Sequence, residues 1–422
     1  MDTIFALSSG APPAGIAVVR VSGPDARGAL ERLAGVVPAP RTLQFATLRD
    51  GDRILDRGFV AFLPGPGTAT GEDILELHLH GGRAVVAAVE GALATFPGLR
   101  RAEPGEFTRR AFANGRIDLA EAEGLADLLA AETELQRRSA MEIASGRFSR
   151  KVDQWREQLL MLSAQVEAVL DFDDEDDVEE LSPLLYRKIN ELTNDVEEVL
   201  AWPQAEMLRE GYRVALAGPP NAGKSTLFNA LVEHEAAITS PTAGTTRDVL
   251  ERHVAIEGVP FVFVDMAGLR ETDEEIEAIG VERAQAEMER ADLVLWLGPE
   301  GEGPADAWEI EPQVDRPDHL AKSAPRFRIS AVSGEGLGPL KRALVDHAGQ
   351  SMPKPGSAAL NIRQRRLLAD AAGALKQVGQ LNDPLLVAEQ LRMARAAFDS
   401  LTGRTTTEDM LDALFGRFCI GK

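Results

Sequence analysis

Residues 212–226, YRVALAGPPNAGKST, constrain this chain more than any other stretch. An apolar run ending at Ala217 delivers the backbone into Gly218, four residues intervene, and Gly223, Lys224 and Ser225 follow. That is the G-x-x-x-x-G-K-[ST] spacing of a phosphate-binding loop set between a strand and a helix. The glycines let successive N–H groups turn toward phosphate oxygens, and the helix adds its positive N-terminus. Lys224 is the residue that neutralises β- and γ-phosphates, and Ser225 offers its hydroxyl to Mg²⁺. Asn221, Ala222, Gly223 and Thr226 complete the candidate nucleotide contacts of the loop.

Two further elements follow in the order that a nucleoside triphosphate switch requires. Residues 241–248, PTAGTTRD, form a polar loop in which Thr245 and Thr246 can offer a hydroxyl to Mg²⁺ and an N–H to the γ-phosphate, with Gly244 beside them. The strand at 261–264 then ends in Asp265-Met266-Ala267-Gly268, the D-x-x-G that holds the metal's water shell. Ras-like proteins place a water-orienting glutamine just after that glycine, whereas this chain has Leu269. Catalysis must therefore come from elsewhere, either the acidic segment 271–277 or a cation at the phosphates, which Asn221 is placed to bind. Base recognition departs further from the guanine pattern N-K-x-D. The Gly/Pro/Asp-rich stretch 300–322 offers only Pro312-Gln313-Val314-Asp315, in which Asp315 alone is retained. Ser330-Ala331-Val332 reads as the loop beside the base, so guanine preference is expected, with weaker holding than a complete motif gives.

Length and charge bound the rest. At 422 residues the chain suggests two to four domains, and 44% hydrophobic residues suffice for ordinary cores. A net charge of −22 argues against a general polyanion binder, although a local basic face or a basic partner remains compatible with it. The single cysteine, Cys419, forbids an internal disulfide. With no secretory-type leader and no membrane-length apolar run, the expected compartment is the reducing cytoplasm.

Residues 1–118 read as an α+β domain, with strands around 16–21, 59–63 and 74–80. Glu76, His78 and His80 share one face of the last strand, and without a third good ligand this favours a solvated face over a metal site. Three arginines, Arg109, Arg110 and Arg116, lie close together near a helix end, either as solvated charges or as an anion pocket. From Leu119 the pattern turns helical. Apolar stripes run through Leu119, Ala122, Leu125, Leu128 and Leu129, and again through Trp155, Leu159, Leu162 and Val166. An acidic run at 171–180 separates two helices and reads as a solvated loop. After the α/β stretch 212–348, a Pro/Gly/Ser linker at 351–357 returns the chain to helices at 361–380, 384–402 and 407–418.

On residues 13–23, TGED at 70–73, HGG at 80–82, PGEFT at 104–108, GPPNAGKST, AGTTRD, DMAGLRE and the C-terminal FCIGK, the chain resembles the MnmE (TrmE) family of tRNA-modification GTPases over essentially its whole length. The resemblance implies a multidomain α/β protein with four segments. They are an N-terminal α+β folate-binding and dimerisation domain (1–118), a discontinuous helical bundle (119–208 and 349–422), and an inserted P-loop G domain with a Ras-like doubly wound sheet (209–348). It implies a homodimer, potassium-dependent GTP hydrolysis yielding GDP, and an FAD-dependent MnmG (GidA)-like partner. With that partner the family modifies C5 of the wobble uridine in certain tRNAs, a carboxymethylaminomethyl-type addition that uses a 5-formyl- or methylene-tetrahydrofolate.

Carried over by residue, the resemblance implies a folate pocket of Arg20, Glu76, Arg116 and Lys422, with Arg116 where the family usually has lysine. It implies K⁺ held by Asn221, Ser240, Thr242 and Thr245, and Mg²⁺ by Ser225 and Thr246. Glu277 matches the family glutamate that orients the attacking water, and Cys419 matches a C-terminal cysteine proposed as catalytic. Met266 stands where the family has threonine, a change expected to loosen the switch. Two rival readings remain: a ribosome-assembly GTPase acting as a nucleotide-dependent binding module, and a folate-dependent one-carbon transferase with a degenerate G domain.

Overall fold

The computed structural model describes residues 2–171, 181–233, 236–237, 250–266, 285–352, 358–405 and 407–422. Its chain contacts define two compact units. One comprises Met1–Ala126, Ala144–Glu179 and Val387–Lys422, the other Asp127–Ile143 and Glu180–Leu386.

The first unit is organised on a six-stranded sheet of β1 (Thr3–Leu7), β2 (Ile16–Ser22), β3 (Leu43–Asp50), β4 (Arg53–Leu63), β5 (Ile74–His80) and β6 (Leu99–Arg101). Its order is β3-β4-β5-β2-β1-β6, antiparallel except for the β1–β6 pair. Three of these strands, β1, β3 and β6, lie outside the expected set. Alternation decides what each face does: Val19, Val21, Leu75 and Leu77 join a core with α1 (Ala26–Ala34) and α2 (Arg83–Ala94), so Arg20, Glu76 and His78 project from the opposite face.

The same unit contains α3 (Glu106–Ala113), α6 (Arg147–Asp171), the helix Glu408–Phe415 and most of α4 (Leu119–Ala130) and of the helix Pro384–Thr402. Trp155 of α6 packs on Phe398, ring centroids 5.8 Å apart, and Leu119 and Ala122 share a core with Leu411, Phe415 and Phe418. Helical segments far apart in sequence thus pack on one another. The stripe beginning at Leu119 is buried only over its first turns, because Leu129 is 48% exposed. The acidic loop read at 171–180 falls outside the described residues from 172 onward.

The second unit holds α5 (Glu134–Ala144), α7 (Pro183–Leu200), α8 (Ala205–Glu210), α9 (Lys224–Val232) and the helices Leu337–Ser351 and Ile362–Val378. Its seven-stranded sheet consists of β7 (Tyr212–Ala217), β8 (Ala236–Ala237), β9 (Leu250–Ile256), β10 (Val259–Asp265), β11 (Leu293–Trp296), β12 (Trp308–Glu311) and β13 (Phe327–Arg328). The order is β13-β12-β11-β7-β10-β9-β8, with β7 parallel to both β10 and β11 and only the β8–β9–β10 edge antiparallel. A central strand buried on both faces must be apolar throughout, and Val214, Ala215 and Leu216 are fully buried. Helix α7 packs along Ile362–Val378, and local chemistry fixes both starts. Ser182 caps α7 ahead of Pro183, and Asn361 with Gln364 forms a capping box on the later helix. Among the described residues no helix is long and apolar enough to cross a membrane.

Candidate functional site

The sheet places the glycine loop at the carboxyl end of its central strand, where ligands of open α/β sheets sit. Leaving β7, the backbone takes φ +145° at Gly218, +62° at Asn221 and +89° at Gly223, and α9 starts at Lys224. A side chain at Gly218 would come within 3.0 Å of the Gly298 nitrogen, so that position has no room for one. Lys224 is buried, and its ammonium donates to the carbonyls of Gly218 and Pro219 at 2.8 Å each, curling the loop over the helix start. Ser225 and Thr226 remain exposed on the first turn. Asp265, 1% exposed, ends β10 in register with Leu216 of β7 and so stands beside the loop. Its neighbour Met266 is buried with Ala215, Ala217 and Val294, which leaves its backbone as the part able to meet a nucleotide.

The Gly/Pro/Asp-rich region 300–322 contains β12, and Pro312-Gln313-Val314-Asp315 begins directly at its end. One pocket brings Gly223 and Thr226 of the loop together with Gln313, Asp315, Ala331 and Val332. Three separately read motifs therefore converge on one cavity. A hydrogen bond from Ser330 is the main reason that the Asp315 carboxyl stays below the ordinary carboxylate range. Ser330 is fully buried, and its hydroxyl also accepts from the Ser333 nitrogen at 3.1 Å. The residues missed from sequence are Gln313, which donates to the Asn221 carbonyl at 3.2 Å, and His319, whose ring joins Glu311 and the Arg316 carbonyl. Gln313 had a signal, a long polar side chain at the lysine position of N-K-x-D. His319 had none.

Ser240, Thr242, Gly244, Thr245, Thr246, Ala267, Gly268 and Glu277 lie outside the described residues. The described donors fit a magnesium nucleotide: a hydroxyl at the helix start, a buried carboxylate on the adjacent strand and an ammonium folded onto the loop.

In the first unit, Arg20 of β2 faces Glu76 of β5 in register, with Nε and Nη2 donating to Oε1 at 3.1 and 2.8 Å. Phe107 flanks the guanidinium at 6.0 Å, and His78 Nε2 lies 3.5 Å from the other Glu76 oxygen. Arg116 donates to the Thr68 carbonyl at 3.2 Å. The other two clustered arginines are taken by carboxylates, Arg109 by Glu408 and Asp412, Arg110 by Asp2, Glu72 and Glu106. They build structure rather than an open anion pocket. His80 turns to Asp56 at 2.8 Å, and among the described residues no three His, Cys, Asp or Glu side chains are gathered to hold a metal. The C-terminal tail docks on the same unit. Ile420 bridges to Pro104, and Gly421 lies against the Leu7 carbonyl at the end of β1. Cys419 is exposed.

A glycine loop at the carboxyl end of a largely parallel sheet, a buried aspartate on the next strand and a cavity that joins the loop to Asp315 define a P-loop nucleotide hydrolase of the GTPase type. Residues 119–419 match the MnmE helical domain, and residues 3–116 match the N-terminus of the GTP-binding protein TrmE. The chain belongs to the MnmE family. It is 63% identical to the tRNA modification GTPase MnmE of Erythrobacter litoralis and 60% identical to that of Novosphingobium aromaticivorans, each comparison covering 100% of both chains. Among solved structures, the G domain of the T. maritima FeoB iron transporter is 25% identical, with a TM-score of 0.23 over 32% of this chain and 98% of that one.

Proposed function

We propose that this protein is a potassium-dependent GTPase acting in tRNA modification. Together with a flavin-dependent MnmG-like partner it alters C5 of the wobble uridine in certain tRNAs, using a tetrahydrofolate one-carbon unit. The observation that carries the reading is the single cavity joining the glycine loop to Asp315 and to the 330–332 loop, since phosphate and base contacts then serve one nucleotide. Asp315 accepts from the donor edge of guanine, Lys224 and the loop N–H groups hold the phosphates, and Ser225 with Thr246 holds Mg²⁺. Asn221 with Ser240, Thr242 and Thr245 would hold K⁺, whose positive charge would offset negative charge on the phosphates. Glu277 orients the water that attacks the γ-phosphorus, and GDP leaves.

In the same reading the domains run 1–118, 119–208 with 349–422, and an inserted 209–348. Arg20, Glu76, Arg116 and Lys422 hold the folate, and Cys419 takes a catalytic part in the modification. The homodimer is supported by an apolar row on the folate-side face of the N-terminal sheet: Phe45 and Phe59 meet edge to face at 5.6 Å, and Leu43 is 60% exposed beside them. The deciding experiment is GTP hydrolysis by the purified protein in potassium against sodium, with Glu277→Ala as control and ATP as competitor. Potassium-stimulated, Glu277-dependent and GTP-selective turnover is expected. Absence of hydrolysis in both salts would shift attention to the folate domain.

A further inference from the structure

The base-reading segment departs from N-K-x-D at its first two positions, and the structure points to what has taken over. Pro312 has neither a side-chain donor nor an N–H, so it can brace nothing across the pocket. Gln313 reaches across instead: its amide nitrogen donates to the Asn221 carbonyl at 3.2 Å, and an amide oxygen there would face another oxygen. The side chain also lies on Gly223, where an added Cβ would come within 3.0 Å of the Gln313 amide nitrogen and 3.4 Å of its Cγ. Both ends of this bond are held in an uncommon conformation, φ +57° at Gln313 and +62° at Asn221. Two left-handed non-glycine residues joined by one hydrogen bond, at the mouth of a ligand pocket, are where strain accompanies function.

We infer that Gln313 is a positioning residue for nucleotide binding, its amide bracing the phosphate loop against the base-reading segment through the Asn221 carbonyl. The inference rests on the reading of this cavity as the nucleotide site. The brace fixes the distance between the groups that hold the phosphates and Asp315, which stands two residues beyond Gln313 in the same cavity. Its loss therefore loosens a nucleotide held at both ends while leaving the groups that perform hydrolysis in place.

The test uses the full chain and three variants, with release of a fluorescent N-methylanthraniloyl GDP as readout. Gln313→Met and Gln313→Glu keep the length and remove the donor, whereas Gln313→Lys keeps a donor that reaches the same carbonyl. One neutral hydrogen bond corresponds to roughly three- to tenfold, so both donorless variants should release GDP faster by about that factor. KM for GTP should rise with them at unchanged kcat, and Gln313→Lys should stay near wild type. Unchanged thermal midpoints would separate this from unfolding. Wild-type release from Gln313→Met and Gln313→Glu, or release from Gln313→Lys as fast as from Gln313→Met, would overturn the role of Gln313 alone. A wild-type protein that binds neither GDP nor GTP would overturn the nucleotide-site reading with it.

Discussion

Arg20 and Glu76 stand opposite each other on β2 and β5 and are joined by two hydrogen bonds to a single carboxylate oxygen. The second Glu76 oxygen is left to His78 at 3.5 Å, so the pair keeps acceptor capacity toward a ligand above the sheet. Its side chains are 26% and 21% exposed, and such a pair adds only about 1 kcal/mol or less to folding. Arg20→Ala and Glu76→Gln should therefore leave the thermal midpoint nearly unchanged. Affinity for 5-formyltetrahydrofolate, measured by equilibrium dialysis, should fall roughly ten- to hundredfold, the range for a lost charge-assisted hydrogen bond. Undiminished affinity in both variants would move the folate pocket off this face.

Lys224 makes a second case, in which binding and folding pull apart less cleanly. Its buried ammonium satisfies two loop carbonyls, so Lys224→Ala removes the clasp that curls the loop together with the proposed phosphate contact. GTP affinity by calorimetry should drop by at least about a hundredfold, more than for any single neutral contact. An affinity within a fewfold of wild type would mean that the loop does not hold phosphate.

The glycine loop, the strand ending at Asp265 and the helical segments were legible because each is set by local rules: fixed glycine spacing, a buried apolar run, a 3.6-residue stripe. What stayed hidden depends on partners distant in sequence. Strand β12 is a four-residue WEIE whose Glu311 is 3% exposed, and polar residues flanked by Gly and Pro give no strand signal. Glu311 becomes intelligible only once His319 and Arg328 are seen beside it. Strands β1, β3 and β6 were obscured for a related reason. Strand β3 exposes Leu43 and Phe45 to solvent, against the inside-out pattern that periodicity assumes, and β6 is only three residues long.

His319 yields a pH prediction. Its Nδ1 lies 2.7 Å from the Arg316 carbonyl and its Nε2 2.8 Å from Glu311, so only the imidazolium can donate to both. The Arg316 carbonyl first, and Glu311 next, raise its pKa above the ordinary 6.5, against opposing contributions from burial and Arg328. A raised folded-state pKa gives stability that is fully present below about 6.5 and lost as pH rises through the folded value. The difference in unfolding midpoint between wild type and His319→Gln should therefore be greatest near pH 5.5 and shrink toward pH 8.5. A difference that is flat or grows with pH would contradict this protonation state.

The C-terminal tail gives the last prediction, because one glycine controls where it lies. Gly421 has φ +93°, and a Cβ there would fall 2.0 Å from the Leu7 carbonyl oxygen and 3.1 Å from the Ser8 Cα. Neither atom belongs to a side chain that can swing away, so Gly421→Ala must lift the tail from β1. The bridge between Pro104 and Ile420 should open with it, moving Lys422, the next residue, away from the end of β1. The core beneath is sealed by Phe415 and Phe418, so the thermal midpoint should change little. Folate affinity should fall as far as in Lys422→Ala, and carboxypeptidase should remove Lys422 faster than from wild type. Gly51→Ala separates collision from backbone strain, since Gly51 shares a positive φ of 58° but has nothing within 4 Å of an added Cβ. Gly51→Ala should leave folate binding and carboxypeptidase sensitivity as they are. If Gly421→Ala also leaves both unchanged, the tail takes no part in folate binding.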